Sequence, residues 1–103
     1  MEGFAKVGTT GDLKPGAMKV VRTPQGRRLL VNAAGKFYAI DPACTHQGCD
    51  LGDGSLEGTT VTCPCHFAEF DVTTGEVEGG PAPEPVKTYA VQVVGNEVWV
   101  AAS

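Results

Sequence analysis

The sequence predicts an all-β protein built from small antiparallel sheets. Short runs of β-branched and aromatic residues alternate with turn residues, and no segment keeps an apolar period of about 3.6 residues over three turns. The 14 glycines and 7 prolines are spread along the chain and would interrupt any long helix. A length of 103 residues is typical of one domain, so we predict a single domain over residues 1–103.

The predicted strands follow one another with a turn signal after most of them. They cover residues 4–7, 18–22, 28–32, 36–40, 59–62, 69–72, 88–94 and 97–100. Glycine and proline mark turns at residues 12–16 and 24–26. Ala33-Ala34-Gly35 and Gly95-Asn96 predict two hairpins, because each separates two apolar runs.

Composition narrows the function classes. With 42% hydrophobic and 19% charged residues the chain is typical of a globular protein. A net charge of -4 and the lack of a basic block argue against nucleic acid as a partner. The apolar runs are too short to span a bilayer, and the N-terminus lacks a secretory pattern. We therefore expect a cytoplasmic monomer.

Two short motifs bring together the residue types that bind metals. The first reads CTHQGC over residues 44–49, and the second reads CPCH over residues 63–66. Each motif contains a Cys and one of the chain's 2 histidines, namely Cys44 with His46 and Cys63 with His66. Two thiolates and two imidazoles can hold a tetrahedral zinc ion or a [2Fe–2S] cluster with mixed ligands.

Ligand spacing weakens two of the alternatives. Zinc fingers usually pair Cys-x-x-Cys with His-x-x-x-His, whereas each motif here mixes one Cys with one His. A plant-type cluster with four cysteine ligands would use Cys44 and Cys49 and then needs a third cysteine where Gly52 stands. A zinc-held structural module nevertheless remains a possible interpretation of the ligand types.

The motifs, their order and their spacing resemble those of Rieske iron–sulfur proteins. The resemblance covers the whole chain and implies the Rieske fold, in which a cluster-binding segment, here about residues 41–85, is inserted into a β scaffold. It implies one [2Fe–2S] cluster, with Cys44 and Cys63 on the inner iron and His46 and His66 on the outer iron. Neutral histidine ligands raise the reduction potential into a range of roughly -150 to +300 mV.

The resemblance also assigns roles around the cluster. Rieske proteins of respiratory complexes and of arsenite oxidases carry a disulfide at these positions, so the resemblance implies a Cys49–Cys65 disulfide here, although ferredoxins of ring-hydroxylating dioxygenases usually lack it. A proline loop at residues 79–83, with Pro81, is expected to cover the cluster. Gln47 and Gly48 are expected to turn backbone amides toward sulfur, and Phe67 is expected in the core.

Two positions after the second motif predict how the potential is tuned. Respiratory Rieske proteins typically have Ser and Tyr hydroxyls where this chain has Ala68 and Phe70. Such hydroxyls stabilise the reduced cluster by hydrogen bonds to sulfur and so raise its potential. Because Ala68 and Phe70 cannot donate, we predict a potential in the lower half of the Rieske range.

The leading functional hypothesis is a soluble one-electron carrier rather than an enzyme. By resemblance it would accept electrons from a reductase and pass them to an oxygenase as a component of a dioxygenase system. The alternative is a Rieske subunit of a larger redox enzyme, such as an arsenite oxidase or a quinol-oxidising complex. The cysteine pair favours this alternative, and Ala68 and Phe70 count against it.

Overall fold

A computed structural model describes residues 3–45, 49–65, 67–80 and 84–102. Within these ranges the regular secondary structure consists of β-strands and two one-turn 3₁₀ segments at Thr10–Asp12 and Leu51–Asp53. The strands are β1 Phe4–Thr9, β2 Met18–Thr23, β3 Gly26–Ala33, β4 Lys36–Ile40, β5 Ser55–Glu57, β6 Thr60–Thr62, β7 Glu69–Asp71, β8 Val77–Gly79, β9 Thr88–Tyr89, β10 Val91–Val94 and β11 Glu97–Ala101. In the described ranges no helix has the length and apolarity needed to cross a membrane.

Three antiparallel sheets are formed, which confirms the predicted fold class. The first sheet has the order β1-β11-β10, and the second has the order β2-β3-β4-β9. The third sheet, β5-β6-β7-β8, is a meander that lies between β4 and β9 in sequence. The predicted metal motifs therefore belong to a segment that leaves the second sheet after Ile40 and returns to it at Thr88, called the metal-binding segment below.

The structure differs from the predicted strands at three places. β5 and β8 were not predicted, since each is only three residues long and next to glycine. The predicted strand 88–94 is divided at Ala90, so that β9 pairs with β4 while β10 pairs with β11. This division lets one stretch of chain serve two sheets, which its continuous apolar pattern does not reveal.

The second sheet is the central layer of the molecule. Leu29 and Val31 of β3 pack into a core shared with the metal-binding segment, whereas Leu30 packs into a core shared with the first sheet. Successive side chains of a strand point to opposite faces, so β3 supplies both cores by simple alternation. All three side chains are buried, and each contributes roughly 1.5–3 kcal/mol of hydrophobic stabilisation.

Two polar contacts fix the metal-binding segment to the second sheet. The Arg27 guanidinium donates to the Asp50 carboxylate at 2.8 Å. At the other side, the Tyr89 hydroxyl donates to Asp41 at 2.7 Å. Burial, together with this bond to a carboxylate, raises the pKa of Tyr89 above its usual value of 10.0. The stability from the Tyr89–Asp41 bond is therefore present below that pH and is lost only as pH rises toward the raised pKa.

Gly75 is a position where the return of the chain to the second sheet requires glycine. Its φ is +81°, and a Cβ atom there would overlap the carbonyl oxygen of Val86. The Gly75 carbonyl in turn accepts from the Val86 amide at 2.9 Å. Gly58 has a similar φ of +61° but has open space around its Cα, which makes it a matched control.

We expect Gly75→Ala to destabilise the fold more than Gly58→Ala. Gly58→Ala introduces only the left-handed backbone cost of about 1 kcal/mol. Gly75→Ala adds a backbone clash, for a loss of roughly 3 kcal/mol or more in the free energy of unfolding. Urea denaturation followed by tryptophan fluorescence measures both, and equal losses would contradict the steric argument.

Candidate metal centre

The two predicted motifs lie in two loops, and each loop is closed by the same type of backbone hydrogen bond. In the first loop the Cys44 amide donates to the Cys49 carbonyl at 2.8 Å, and in the second the Cys63 amide donates to the Ala68 carbonyl at 2.7 Å. Both bonds join residue i to residue i+5, and each loop begins with one of the predicted cysteine ligands. The structure thus places Cys44 and Cys63 at equivalent positions.

Local pairing fixes where each loop begins and ends. Ala43 forms an isolated antiparallel bridge with Asp50, and the Leu51 amide donates to the Pro42 carbonyl at 2.7 Å. The Asp50 carboxylate also accepts from the Gly52 amide at 2.8 Å and so holds the turn that follows the first loop. In the second loop, the two ends are held by the pairing of the adjacent strands β6 and β7, which the loop connects.

A disulfide between Cys49 and Cys65 joins the two loops, as the sequence resemblance predicted. Cys44 and Cys63 lie outside this disulfide, and both are buried. Disulfide sulfurs cannot act as thiolate ligands, so the described cysteines offer two thiolates to a metal centre. This number fits a cluster held by two cysteines and two histidines.

Five of the predicted site residues lie outside the described residues. They are His46, Gln47, Gly48, His66 and Pro81. Their predicted roles therefore stay predictions. Among the described residues, Thr45 directly precedes His46 and Phe67 directly follows His66.

Ala68 and Phe70 lie in the same buried core as Cys44 and Cys63. Both residues are fully buried, and neither side chain has a hydrogen-bond donor. Gly80 packs closely against this part of the second loop, since a Cβ atom there would meet the Ala68 Cα at 2.6 Å. The thiols therefore lie in an apolar environment, as expected from the sequence.

The expectation that Phe67 lies in the core is wrong. Its side chain is 72% exposed, and its backbone has a φ of +61°. This left-handed conformation is uncommon for an aromatic residue and turns Phe67 away from its buried neighbours. Phe67 lines a shallow surface groove with Pro64 and Asp53. Hydrophobicity alone predicted burial, and only the loop geometry places this ring in solvent.

Thr45 makes a contact that the sequence did not indicate. Its hydroxyl donates to the Glu84 carbonyl at 2.7 Å. Glu84 follows directly on the proline-rich stretch, so this bond connects that stretch to the first loop. Gly80 connects the other end to the second loop through Ala68. No residue pattern marks such a contact, because its acceptor is a backbone carbonyl far away in sequence.

Charge is distributed unevenly along the chain. The segment from residue 41 to residue 85 has no Lys or Arg, and all 8 basic residues lie outside it. The segment carries these acidic residues: Asp41, Asp50, Asp53, Glu57, Glu69, Asp71, Glu76, Glu78 and Glu84. The metal-binding part of the molecule is therefore strongly acidic and the scaffold basic.

Comparison with known proteins identifies the family. The sequence model of the Rieske [2Fe-2S] domain matches residues 3–90. This chain belongs to the Rieske family. The Rieske domain carries a [2Fe–2S] cluster, which confirms the predicted cofactor and leaves no support for a zinc-held module as the main function.

Relatives and solved structures agree with this assignment. The Rieske protein is 37% identical to the ferredoxin component of biphenyl 2,3-dioxygenase from Rhodococcus jostii (strain RHA1), over 94% of this chain and 91% of the relative. A chain in the complex of reduced oxygenase and oxidized ferredoxin of carbazole 1,9a-dioxygenase matches with a TM-score of 0.93 and 30% identity, over 100% of this chain and 96% of that one.

A third similar protein is described as a plasma membrane Rieske protein. The cyanobacterial plasma membrane Rieske protein PetC3 from Synechocystis PCC 6803 is 39% identical, with 93% and 97% of the two chains covered, but its TM-score is lower at 0.73. By TM-score, the fold of this chain is therefore more similar to the matching chain of the carbazole 1,9a-dioxygenase complex than to PetC3. The prediction of an electron-transfer protein rather than an enzyme is confirmed.

Proposed function

We propose that this Rieske protein is the ferredoxin component of an oxygenase system and that Cys44, Cys63, His46 and His66 hold its cluster. The observation that carries this proposal is the pair of equivalent loops, each beginning with a buried cysteine. The disulfide between the loops leaves two thiolates, the number that such a cluster needs. Similarity to a dioxygenase ferredoxin supports the position between a reductase and an oxygenase.

The residues of this chain have distinct tasks in that function. When bound, a [2Fe–2S] cluster with two thiolate and two imidazole ligands takes up and releases one electron. Cys44 and Cys63 would hold it from the buried side, within an apolar core that keeps water away. His46 and His66 would complete the ligand set, and a cluster held in this way would have no open position for a substrate.

Spectroscopy and metal analysis test the ligand assignment. Protein purified without oxygen should contain two irons and two sulfides per chain and give a Rieske-type EPR signal after reduction. The signal should be abolished by each of the single substitutions Cys44→Ser, Cys63→Ser, His46→Ala and His66→Ala. The double variant Cys49→Ser/Cys65→Ser serves as the control and should keep it. A colourless, EPR-silent protein with stoichiometric zinc would refute the proposal.

The second expectation concerns the reduction potential. Ala68→Ser and Phe70→Tyr each place a hydroxyl donor in the core that contains Cys44 and Cys63. A new hydrogen bond to sulfur favours the reduced, more negative state, and a gain of about 1.4 kcal/mol corresponds to an upward shift of about 60 mV. Redox titration followed by EPR measures the shift. Unchanged potentials in both variants would show that these positions do not tune the centre.

The surface around Phe67 has the properties of a docking site for a redox partner. An exposed aromatic side chain beside Pro64 offers an apolar contact next to the position of His66. The acidic residues of the surrounding segment would attract a basic surface and speed the encounter. We therefore propose that the oxygenase meets this part of the molecule through a basic rim and an apolar centre.

Phe67→Ala should slow electron delivery without unfolding the protein. The exposed ring contributes little to the core, so the free energy of unfolding should change by no more than about 0.5 kcal/mol. Truncating an apolar interface anchor typically costs about 1–2 kcal/mol of binding, or roughly tenfold in the rate at limiting oxygenase. Val93→Ala, at an exposed site on β10, is the matched control. Equal rates for both variants in stopped-flow reduction of the oxygenase would exclude this docking surface.

A second candidate function is a Rieske subunit of a larger redox enzyme. The Cys49–Cys65 disulfide favours it. Affinity purification from native cells under low salt distinguishes the two, because a subunit keeps a stoichiometric partner whereas a carrier is recovered alone. We further propose that the carrier works in the cytoplasm, where its disulfide would have to resist reduction.

A further inference from the structure

One thiol of the chain lies beside the disulfide that joins the two loops. The Sγ atoms of Cys49, Cys63 and Cys65 all lie within 4.8 Å of one another. Cys49 and Cys65 form the disulfide, whereas Cys63 lies outside it. Among the described cysteines, Cys44 is the one that does not belong to this group. Cys63 is therefore the cysteine that is placed to react with the disulfide.

We propose that Cys63 attacks Cys49 when no cluster is bound, so that the disulfide moves from Cys49–Cys65 to Cys49–Cys63. The Cys63 thiolate forms a bond to the Cys49 Sγ, the Cys49–Cys65 bond breaks, and Cys65 leaves as a thiolate. The chain has one disulfide and the same number of thiols before and after the exchange. The step therefore consumes neither an oxidant nor a reductant.

Burial favours this direction of exchange over the alternatives. Cys63 is buried and Cys65 is exposed, so the exchange transfers thiolate charge from the core to water, where it is solvated. Attack on Cys65 would instead join Cys63 to Cys65 across the single residue Pro64. Because proline fixes its own φ angle, such a bridge would require the backbone to move.

The exchanged bridge would still hold the two loops together. The present disulfide joins cysteines that are 16 residues apart, and the Cys49–Cys63 bridge would close a loop only two residues shorter. The entropy of loop closure depends weakly on length, so the crosslink constrains the unfolded chain almost equally in both forms. We therefore expect the exchange to change the site while the fold persists.

The exchange couples the disulfide to the proposed cluster, and this step rests on the proposed ligand role of Cys63. A cluster held by Cys63 occupies the attacking sulfur and so preserves the Cys49–Cys65 bond. After the cluster is lost, the exchanged chain keeps the ligand sulfur in a disulfide, which protects it from oxidation to sulfinic acid. The exposed Cys65 thiol then takes the reactive role, and its attack on the new bridge restores the ligand.

Differential labelling of the full chain tests the proposal. The cluster is removed with a chelator without oxygen, and sulfide is separated by gel filtration because sulfide itself cleaves disulfides. Samples are quenched over several hours in denaturant with one alkylating reagent, then reduced and treated with a second. Residues 41–85 contain no Lys or Arg, so a protease specific for acidic residues is used instead of trypsin. Fragmentation at Pro64 distinguishes Cys63 from Cys65 by mass.

The first label should move from one cysteine to another after the cluster is removed. In the cluster-bound protein it should mark Cys44 and Cys63. Within minutes to hours of removal, label on Cys65 should rise by about tenfold or more, and label on Cys63 should fall. Label that stays on Cys63 would overturn the proposal. Label that appears on Cys49 would assign the attack to Cys65 and would overturn it equally.

Two matched variants identify the attacking sulfur. Cys63→Ser should abolish the labelling of Cys65, whereas Cys44→Ser removes the other proposed thiolate ligand and should leave the exchange in place. In a chain unfolded by urea both thiols can reach the disulfide, so each variant should lower the exchange only in part. Similar partial losses in both variants without urea would show that the exchange belongs to unfolded chains, which would overturn the proposal.

The same preparation separates this proposal from the proposed function. Iron analysis and EPR before the chelator is added decide whether the chain carries a cluster. A chain that never carries one would refute the proposed function, whereas its labelling pattern would still decide whether Cys63 exchanges with the disulfide. A cluster-bound chain whose Cys65 is labelled as strongly as in the cluster-free chain would refute the coupling between cluster and disulfide.

Discussion

The structure of the metal centre depends on two backbone hydrogen bonds, and the covalent link between the loops they close adds to its stability. The amides of Cys44 and Cys63 each reach the carbonyl five residues further on. These bonds direct two loops with the same spacing toward one another, and the disulfide from Cys49 to Cys65 then fixes their separation. A crosslink of this kind limits the unfolded chain and typically contributes about 3 kcal/mol for a loop of this length. A small domain gains substantially from such a link.

The core behind the loops explains the difference between the two sides of the centre. Cys44 and Cys63 share a buried core with Ala68 and Phe70, whose side chains have no hydrogen-bond donor. Phe67, one residue from Ala68, lies in solvent. The change from buried to exposed is made within one residue, and the left-handed backbone of Phe67 makes it possible. Sulfur ligands can thus be protected while the neighbouring position stays open to a partner.

The sequence predicted the parts of this molecule that depend on residue chemistry. The cysteine pairs and the β class follow from residue types, spacing and resemblance. β5 and β8 could not be predicted, because three residues beside a glycine form a strand only when β6 and β7 are there to pair with them. The exposed position of Phe67 depends on a single backbone angle, which hydrophobicity does not encode.

The metal-binding segment begins and ends at neighbouring points of the second sheet. Ile40, the last residue of β4, pairs directly with Thr88, the first residue of β9. Ile40 and Thr88 can therefore pair in the same way whatever the length of the segment between them. The entropy cost of closing such a segment grows only slowly with its length. The segment is therefore an insertion whose length the second sheet does not determine. It can be lengthened or exchanged while the scaffold is kept, provided that the contacts of Asp41 and Asp50 with the scaffold are retained.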